Sequence, residues 1–174
     1  TVIRSVERLS RLETASYYIE KVITAESGQG PLGFLFGDRL LLVAAGEVIA
    51  GIDLSEIGPD DVAVAGGTLY MRLPAPEIFV ATLNNESTYV YDRRTGVIGM
   101  NPELETAARR EAERLILEAA LEDGIEEDAA KQAESFLLSF LLALGFDEVV
   151  FTDTPPTPTP EPTLTPIATA TPAM

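Results

Sequence analysis

The sequence contains no cysteine, no histidine and no tryptophan among its 174 residues. Without thiolate or imidazole ligands, zinc sites built on Cys and His, haem and iron–sulfur centres are excluded. Cysteine proteases and Ser-His-Asp triads are excluded for the same reason. Only all-oxygen sites for calcium or magnesium remain conceivable. We therefore expect neither a cofactor nor a metal, and no catalytic residue can be named.

Basic residues are scarce as well. Twelve Lys and Arg stand against 28 Asp and Glu, which gives a formal net charge of −16. Phosphate recognition depends on Lys and Arg, so neither nucleic acid nor an anionic lipid is an expected partner. Apolar residues at 46% and a mean hydropathy of +0.15 nevertheless indicate a folded core. Residues 152–174 hold only two acids, so the remaining −14 belongs to the part that folds.

A boundary in the chain follows Phe151. Residues 152–174 carry seven of the twelve prolines. Proline lacks the N–H that helices and sheets use, so this stretch predicts a disordered Thr/Pro-rich tail or spacer. Such spacers are common on extracytoplasmic proteins, and a proline motif that binds a partner is the alternative. Residues 1–151 are expected to form a single domain.

The pattern of residues 1–151 predicts an α+β fold in which a short helix precedes the strands. Val2, Val6 and Leu9 share one helical face and predict a short N-terminal helix. Short strands joined by turns then predict an antiparallel meander sheet. The predicted strands cover residues 15–23, 39–53, 62–64, 68–73, 78–83, 88–91 and 97–98.

Two helices are predicted after these strands, both packed on one face of the sheet. Asn101-Pro102-Glu103 is a helix start, because Asn caps, Pro suits the first helical position and Glu faces the positive end of the dipole. Gly124 is expected to end the first helix. The second helix should run over residues 126–144, and residues 148–151 should form a last strand.

No segment carries a recognisable catalytic or ligand-binding motif. The glycines of SGQGPLGFLFG (27–37) precede a strand rather than a helix, which is the wrong context for a phosphate loop. The acidic turn DLSEIGPDD (53–61) lacks the order of an EF-hand loop, so an ordinary turn is favoured over loose calcium binding. Spaced opposite charges over 105–118 predict a solvated helix face. We therefore expect a protein that is not an enzyme.

The helical segment FLLSFLLALGF (136–146) is apolar all round, with Ser139 as its polar break. Such a helix is either fully buried or presents a surface to a partner. Burial in the core is the favoured interpretation. A dimer interface, a membrane-proximal contact and an apolar pocket remain as alternatives, with Phe136, Phe140 and Leu144 as the candidate residues.

A second candidate surface is Tyr91-Asp92-Arg93-Arg94, at the predicted end of a hairpin. It concentrates basic charge on an otherwise acidic protein, and paired arginines suit carboxylate or phosphate recognition. A solvated turn that balances the acidic surface is the alternative interpretation.

Five segments of the chain resemble a known family: LETASYYIEKVI (12–23), AAGEVIAGIDLSEIGPDDV (44–62), LPAPEIFVATLNNESTYVYDRRTG (73–96), ETAARREAE (105–113) and LLALGFDEVVF (141–151). They are similar to the DUF4230 family of uncharacterised bacterial proteins and together cover most of residues 1–151. The similarity implies an extracytoplasmic domain that commonly follows an N-terminal membrane-spanning segment, with no assigned activity and no established site residues.

Together these observations favour a non-enzymatic domain of the cell envelope, periplasmic or at the cell surface. It would be tethered to the membrane through a removed N-terminal segment. A scaffold or binding role toward an unidentified envelope protein is expected, with homo-oligomerisation as one form of it. The alternative is a small-molecule or lipid binder that uses an apolar pocket beside helix 126–144. A weaker alternative is a hydrolase that uses an Asp/Glu pair, which would need two close carboxylates in a concave site.

Overall fold

A long β-hairpin organises the fold. The computed structural model describes residues 11–28, 37–96 and 101–156. Strand β1 (Arg11–Glu26) pairs antiparallel with β2 (Arg39–Asp53) along the full length of both strands. The β-branched and aromatic residues of β1 and the nearly continuous apolar run of β2 favour extended backbone. A register shift between Glu13 and Ala15 interrupts the pairing near one end.

The second edge of β2 accommodates two shorter strands placed end to end. Strand β5 (Glu77–Leu83) pairs antiparallel with residues 46–51 of β2, and β6 (Tyr89–Arg94) pairs antiparallel with residues 39–43. Thr88 joins the two segments to β2, because its hydroxyl bonds to both the N–H and the carbonyl of Ala45. The result is a four-stranded sheet in which β2 is central.

A smaller sheet is built from three short strands. After two single turns of 3₁₀ helix, Leu54–Glu56 and Pro59–Asp61, the chain forms the hairpin of β3 (Val62–Ala65) and β4 (Thr68–Met71). Strand β7 (Glu148–Phe151) returns after the helices and pairs parallel with β4. Its parallel direction follows from the helical crossover that precedes it.

Two helices cover one face of the main sheet. Helix α1 (Pro102–Glu122) begins after Asn101, whose side chain accepts a hydrogen bond from the Glu103 N–H. Gly124 at φ 82° reverses the chain into α2 (Ile125–Ala143). The left-handed backbone at that position favours glycine. Among the described residues, neither helix combines the length and the apolarity that crossing a bilayer requires.

Two adjoining cores result, and α2 contributes to both. Its first half supplies Ile125 and Ala129 to the core between the main sheet and α1. Its second half supplies three buried residues to the core beneath the small sheet. Those residues are Ala133, Leu137 and Leu141, and they pack with Ile52, Leu54, Ile57, Leu69 and Met71.

The α+β class, the two helices and their order after the main strands are confirmed. The single meander is wrong. Because β2 is 15 residues long, it pairs with β5 and β6 in tandem, and the 3₁₀ turns take β3 and β4 into a separate sheet. The helix predicted over residues 2–9, the strand over 97–98 and the tail from residue 157 lie outside the described residues.

Candidate interaction surfaces

The second half of α2 presents an apolar surface on both flanks of its buried stripe. Leu137 and Leu141 are fully buried, whereas Phe136 and Leu144 keep 45% and 49% of their surface exposed. The sequence favoured burial of this whole helical segment, but the structure buries only the stripe that contains Leu137 and Leu141. The helix patch is defined here by its exposed and half-exposed apolar residues, Phe136, Leu138, Phe140, Leu142 and Leu144.

The patch has a regular geometry. The Phe136 and Phe140 rings stack with centroids 6.3 Å apart and planes within 5° of parallel. They lie one helical turn apart on one flank of the buried stripe, while Leu138 and Leu142 lie one turn apart on the other. The twelve residues from Ser135 to Phe146 carry no charge, and acidic residues stand directly before and after them. The helix patch is therefore an uncharged, apolar surface on an acidic domain.

The four residues Tyr91 to Arg94 lie within strand β6 rather than in a turn, because β6 continues to pair with β2 as far as Arg94. The strand alternation separates their side chains. Arg93 points toward the helices, while Asp92 and Arg94 lie on the opposite, solvent-facing side, 3.6 Å apart. Tyr91 is 69% exposed.

Arg93 is engaged by a buried carboxylate. Asp38 is only 2% exposed, and the Arg93 guanidinium donates to it through Nε and Nη2 at 3.2 and 2.5 Å. The same Nη2 donates to the Asn101 carbonyl at 2.6 Å, and the Asn101 N–H donates to Asp38 at 3.0 Å. This ion pair joins the starts of β2 and α1 to β6, so its observed role is to hold elements together.

These contacts determine the charge state of Asp38. The hydrogen bond from Arg93 lowers the pKa of Asp38 below its ordinary value, and the Asn101 N–H lowers it further against the opposing effect of burial. The carboxylate therefore remains ionised through the physiological range. Arg93 has its donors directed at Asp38 and Asn101 rather than toward solvent.

The two sequence-predicted surfaces are not brought together. Arg94 stands opposite Arg39 at the start of β2, whereas the core beneath the helix patch contains Ile52 near the end of β2. Thirteen strand residues separate these points, which corresponds to about 40 Å. They are therefore two separate surfaces.

A third exposed surface was not singled out from the sequence. The solvent face of the main sheet carries exposed apolar residues on the three strands that flank β2: Tyr18 and Val22 on β1, Tyr89 and Tyr91 on β6, and Val80 on β5. Alternation along β1 places Tyr18 and Val22 on the face opposite to Ala15 and Ile23. The sequence alone could not show that the helices cover only one of these two faces.

A cleft lies beside α2. It has a volume of about 500 Å³ and lies between the end of β2, the β4–β5 connection and the C-terminus of β7. Its walls include Ile52, Pro74, Pro76 and Phe151, and carboxylates at its edge come from Glu134 and Asp153. Phe136, Phe140 and Leu144 do not belong to its lining.

The acidic turn at residues 53–61 uses its carboxylates internally. Asp53 accepts hydrogen bonds from the N–H and hydroxyl of Ser55, and Asp61 accepts one from the Gly58 N–H while pairing with Arg72. These contacts lower the pKa of both carboxyls. Within the described ranges, no group of three or more acidic side chains is placed to hold a metal ion.

The Asp38–Arg93 pair should stabilise the fold in a pH-dependent manner. Because the folded-state pKa of Asp38 is lowered, its contribution is complete above the ordinary Asp pKa and is lost as the pH falls through the folded value. We expect Asp38→Asn to lower Tm at pH 7 by on the order of 10 °C, since it leaves Arg93 without its partner. The difference from the unmodified protein should shrink below about pH 4.

Asp92→Asn is the matched control, because Asp92 contacts an arginine at the surface. Its Tm should change by less than about 2 °C. Thermal unfolding followed by circular dichroism between pH 3 and 8 measures both variants. Equal Tm values for Asp38→Asn and the unmodified protein at pH 7 would contradict the assignment.

Comparison with known proteins gives one match. No curated protein and no solved structure is significantly similar to the chain. The family described as "Protein of unknown function (DUF4230)" matches residues 4–151, which include both helices and every described strand. The chain therefore belongs to the DUF4230 family.

Proposed function

We propose that this domain is a non-enzymatic, membrane-tethered module of the cell envelope that binds a protein partner through the helix patch. The observation that carries the proposal is the exposure of the patch on an otherwise acidic surface. Contiguous exposed apolar surface on a folded domain commonly marks an interaction site. Completing the burial of a half-exposed leucine contributes about 1 kcal/mol, so the five residues of the patch contribute on the order of 5 kcal/mol, to which the partner's own buried apolar side chains add.

The chemistry of the patch favours a particular kind of partner. Glu134 precedes the uncharged stretch and Asp147 and Glu148 follow it, within a domain that carries a charge of −14. Negative potential on both sides favours a ligand with basic residues flanking its apolar ones. Two side chains one turn apart on each flank form ridges against which an amphipathic helix can pack. The proposed partner is therefore an amphipathic helix with basic flanks. An anionic membrane surface does not fit, because it attracts basic rather than acidic proteins.

The binding surface can be tested with a defined probe. We expect a fluorescein-labelled 14-residue amphipathic Leu/Lys helix to bind the full chain with a Kd on the order of 10 µM in anisotropy titrations. The double variant Phe136→Ser/Leu142→Ser should weaken binding at least about tenfold, because it removes one apolar group from each flank. Salt should weaken binding of the unmodified chain, since the flanking charges contribute.

Tyr91→Ser is the control, because Tyr91 is more exposed than Phe136 and Leu142 but lies on the solvent face of the sheet. It should leave the Kd within about twofold. Thermal unfolding of each variant verifies the fold. Equal affinity of the double variant and of Tyr91→Ser would show that charge alone attracts the peptide and would contradict the proposed site.

The envelope location rests on separate observations. The Thr/Pro-rich composition after Phe151 is typical of extracytoplasmic spacers, and the family resemblance implies an anchored domain. In cells that express the complete gene with a C-terminal epitope, external protease should remove the epitope from spheroplasts without lysis. An epitope that is degraded only after lysis would contradict an extracytoplasmic location.

A small-molecule binder is the second candidate, and the cleft beside α2 favours it. Walls that combine apolar side chains with the carboxylates of Glu134 and Asp153 suit a small ligand that carries one positive charge beside an apolar group. We expect benzylamine to shift NMR signals of residues around Ala130 with millimolar affinity. Ala130→Phe should abolish those shifts by filling the cleft, whereas Phe136→Ser should preserve them. Shifts that persist in Ala130→Phe would count against the cleft.

A further inference from the structure

Among the residues that the structure describes, no strand pairs with the outer edge of β1 along its regular part. The Ser27 N–H donates to the Asp38 carbonyl at 2.8 Å, in the same register that pairs Ala15 with Ala50 and Ala25 with Leu40. Backbone groups alternate in direction along a strand, so the odd-numbered residues of β1 from Ala15 onward bond to β2. The N–H and carbonyl groups of the even-numbered residues from Ser16 to Glu26 therefore point away from the sheet.

This edge has few of the features that usually prevent strand pairing, and the charges on its solvent face are those of Glu20 and Glu26. Natural edge strands are short, or are protected by proline, by outward charges such as lysine, or by bulges. Residues 15–26 contain no proline, and their one lysine, Lys21, lies on the helix-facing side opposite Ala44. The register shift is confined to Glu13–Ala15. A regular edge of this length is a template for another strand.

We propose that two copies of this chain pair antiparallel through β1, about a two-fold axis at Ile19. A two-fold axis uses the same edge on both copies, so one unpaired strand satisfies the other. The regular segment from Ala15 to Ile23 is centred on Ile19. With the axis there, Ala15 stands opposite the partner's Ile23, and the whole regular segment is paired. About eight backbone hydrogen bonds form across the axis, and the two four-stranded sheets become one.

Charge excludes two of the neighbouring registers. On the solvent face the axis at Ile19 places Tyr18 opposite the partner's Glu20 and Ser16 opposite the partner's Val22. An axis at Glu20 would place two carboxylates opposite each other, and an axis at Lys21 would place two ammonium groups opposite each other. Like charges directly opposite across strands are destabilising. The axes at Tyr18 and Val22 remain as competing registers.

The helix-facing side favours the axis at Ile19. There Lys21 stands opposite the partner's Tyr17. In each copy the Tyr17 hydroxyl donates to Asp128 at 2.8 Å. That hydrogen bond raises the pKa of Tyr17, and burial and the charges of Asp128, Asp123 and Glu127 raise it further. The axis at Ile19 thus brings each Lys21 toward an acidic group of the other copy, which the axes at Tyr18 and Val22 do not. Opposite charges across a strand pair stabilise it.

Dimerisation through β1 goes beyond the proposed function, because it uses an edge that is separate from the helix patch. The paired edges form a small interface, so we expect a Kd on the order of 10–100 µM in solution. Analytical ultracentrifugation of the full chain between 5 and 500 µM should show a monomer–dimer equilibrium. A chain that stays monomeric throughout that range overturns the proposal.

Single cysteines test the register, since the chain has none of its own. Opposed residues at a non-hydrogen-bonded antiparallel position lie about 4.5 Å apart between Cα atoms, within disulfide range. Ile19→Cys should therefore form an oxidised dimer, because the two cysteines lie opposite each other. Thr24→Cys should not, because position 24 stands opposite the partner's position 14, ten residues from the second cysteine. A disulfide dimer formed by Val22→Cys and not by Ile19→Cys overturns the proposed register.

Proline variants test the edge itself. The N–H groups of Glu20 and Thr24 both point away from β2, so proline at either position removes no bond within the sheet. Glu20→Pro, near the axis, should reduce dimerisation at least about tenfold, whereas Thr24→Pro, outside the regular pairing, should reduce it less than about threefold. If Glu20→Pro unfolds, the cysteine variants decide. Dimerisation that is unaffected by Glu20→Pro, with no Ile19→Cys disulfide, overturns the proposal.

Discussion

Backbone pairing along β2 is the constraint on which the rest of the structure depends. This strand bonds to β1 on one edge and to β5 and β6 on the other, so three segments of the chain are fixed by one. Glycine permits the close approach: a Cβ at Gly51 would lie 2.1 Å from the Leu12 carbonyl oxygen. Because β2 occupies the centre, β1 becomes the outer strand of the described sheet, and its outward-facing edge follows directly from this arrangement.

The exposed helix patch has a similar structural origin. The first half of α2 lies against the wide main sheet, and its second half extends over the small sheet. Three short strands cover the stripe that contains Leu137 and Leu141 but not the side chains on either flank of it. An apolar sequence therefore remains at the surface because the structure beneath it is narrow. The helix patch and the β1 edge lie on different elements, so a partner and a second copy could be bound independently.

The sequence predicted correctly those features that depend on residues close together in the chain. The limits of β2 and β7, the cap at Asn101 and the stop at Gly124 followed from apolar patterning, side-chain capping and the left-handed backbone of glycine. The role of Arg93 could not be predicted in the same way. Its partner Asp38 lies 55 residues earlier in the chain, and only the pairing of β6 with β2 brings the two together.

The sequence by itself determined the absence of thiol and imidazole chemistry, the acidity of the folded part, the α+β class and the positions of most elements. Those properties depend on residue type and on spacing over a few positions. Tertiary structure decided that β5 and β6 share one edge of β2, that β7 runs parallel to β4, and that Arg93 is internal. It also decided which apolar residues remain uncovered, because exposure depends on the breadth of the neighbouring sheet. That breadth results from contacts between segments far apart in the chain.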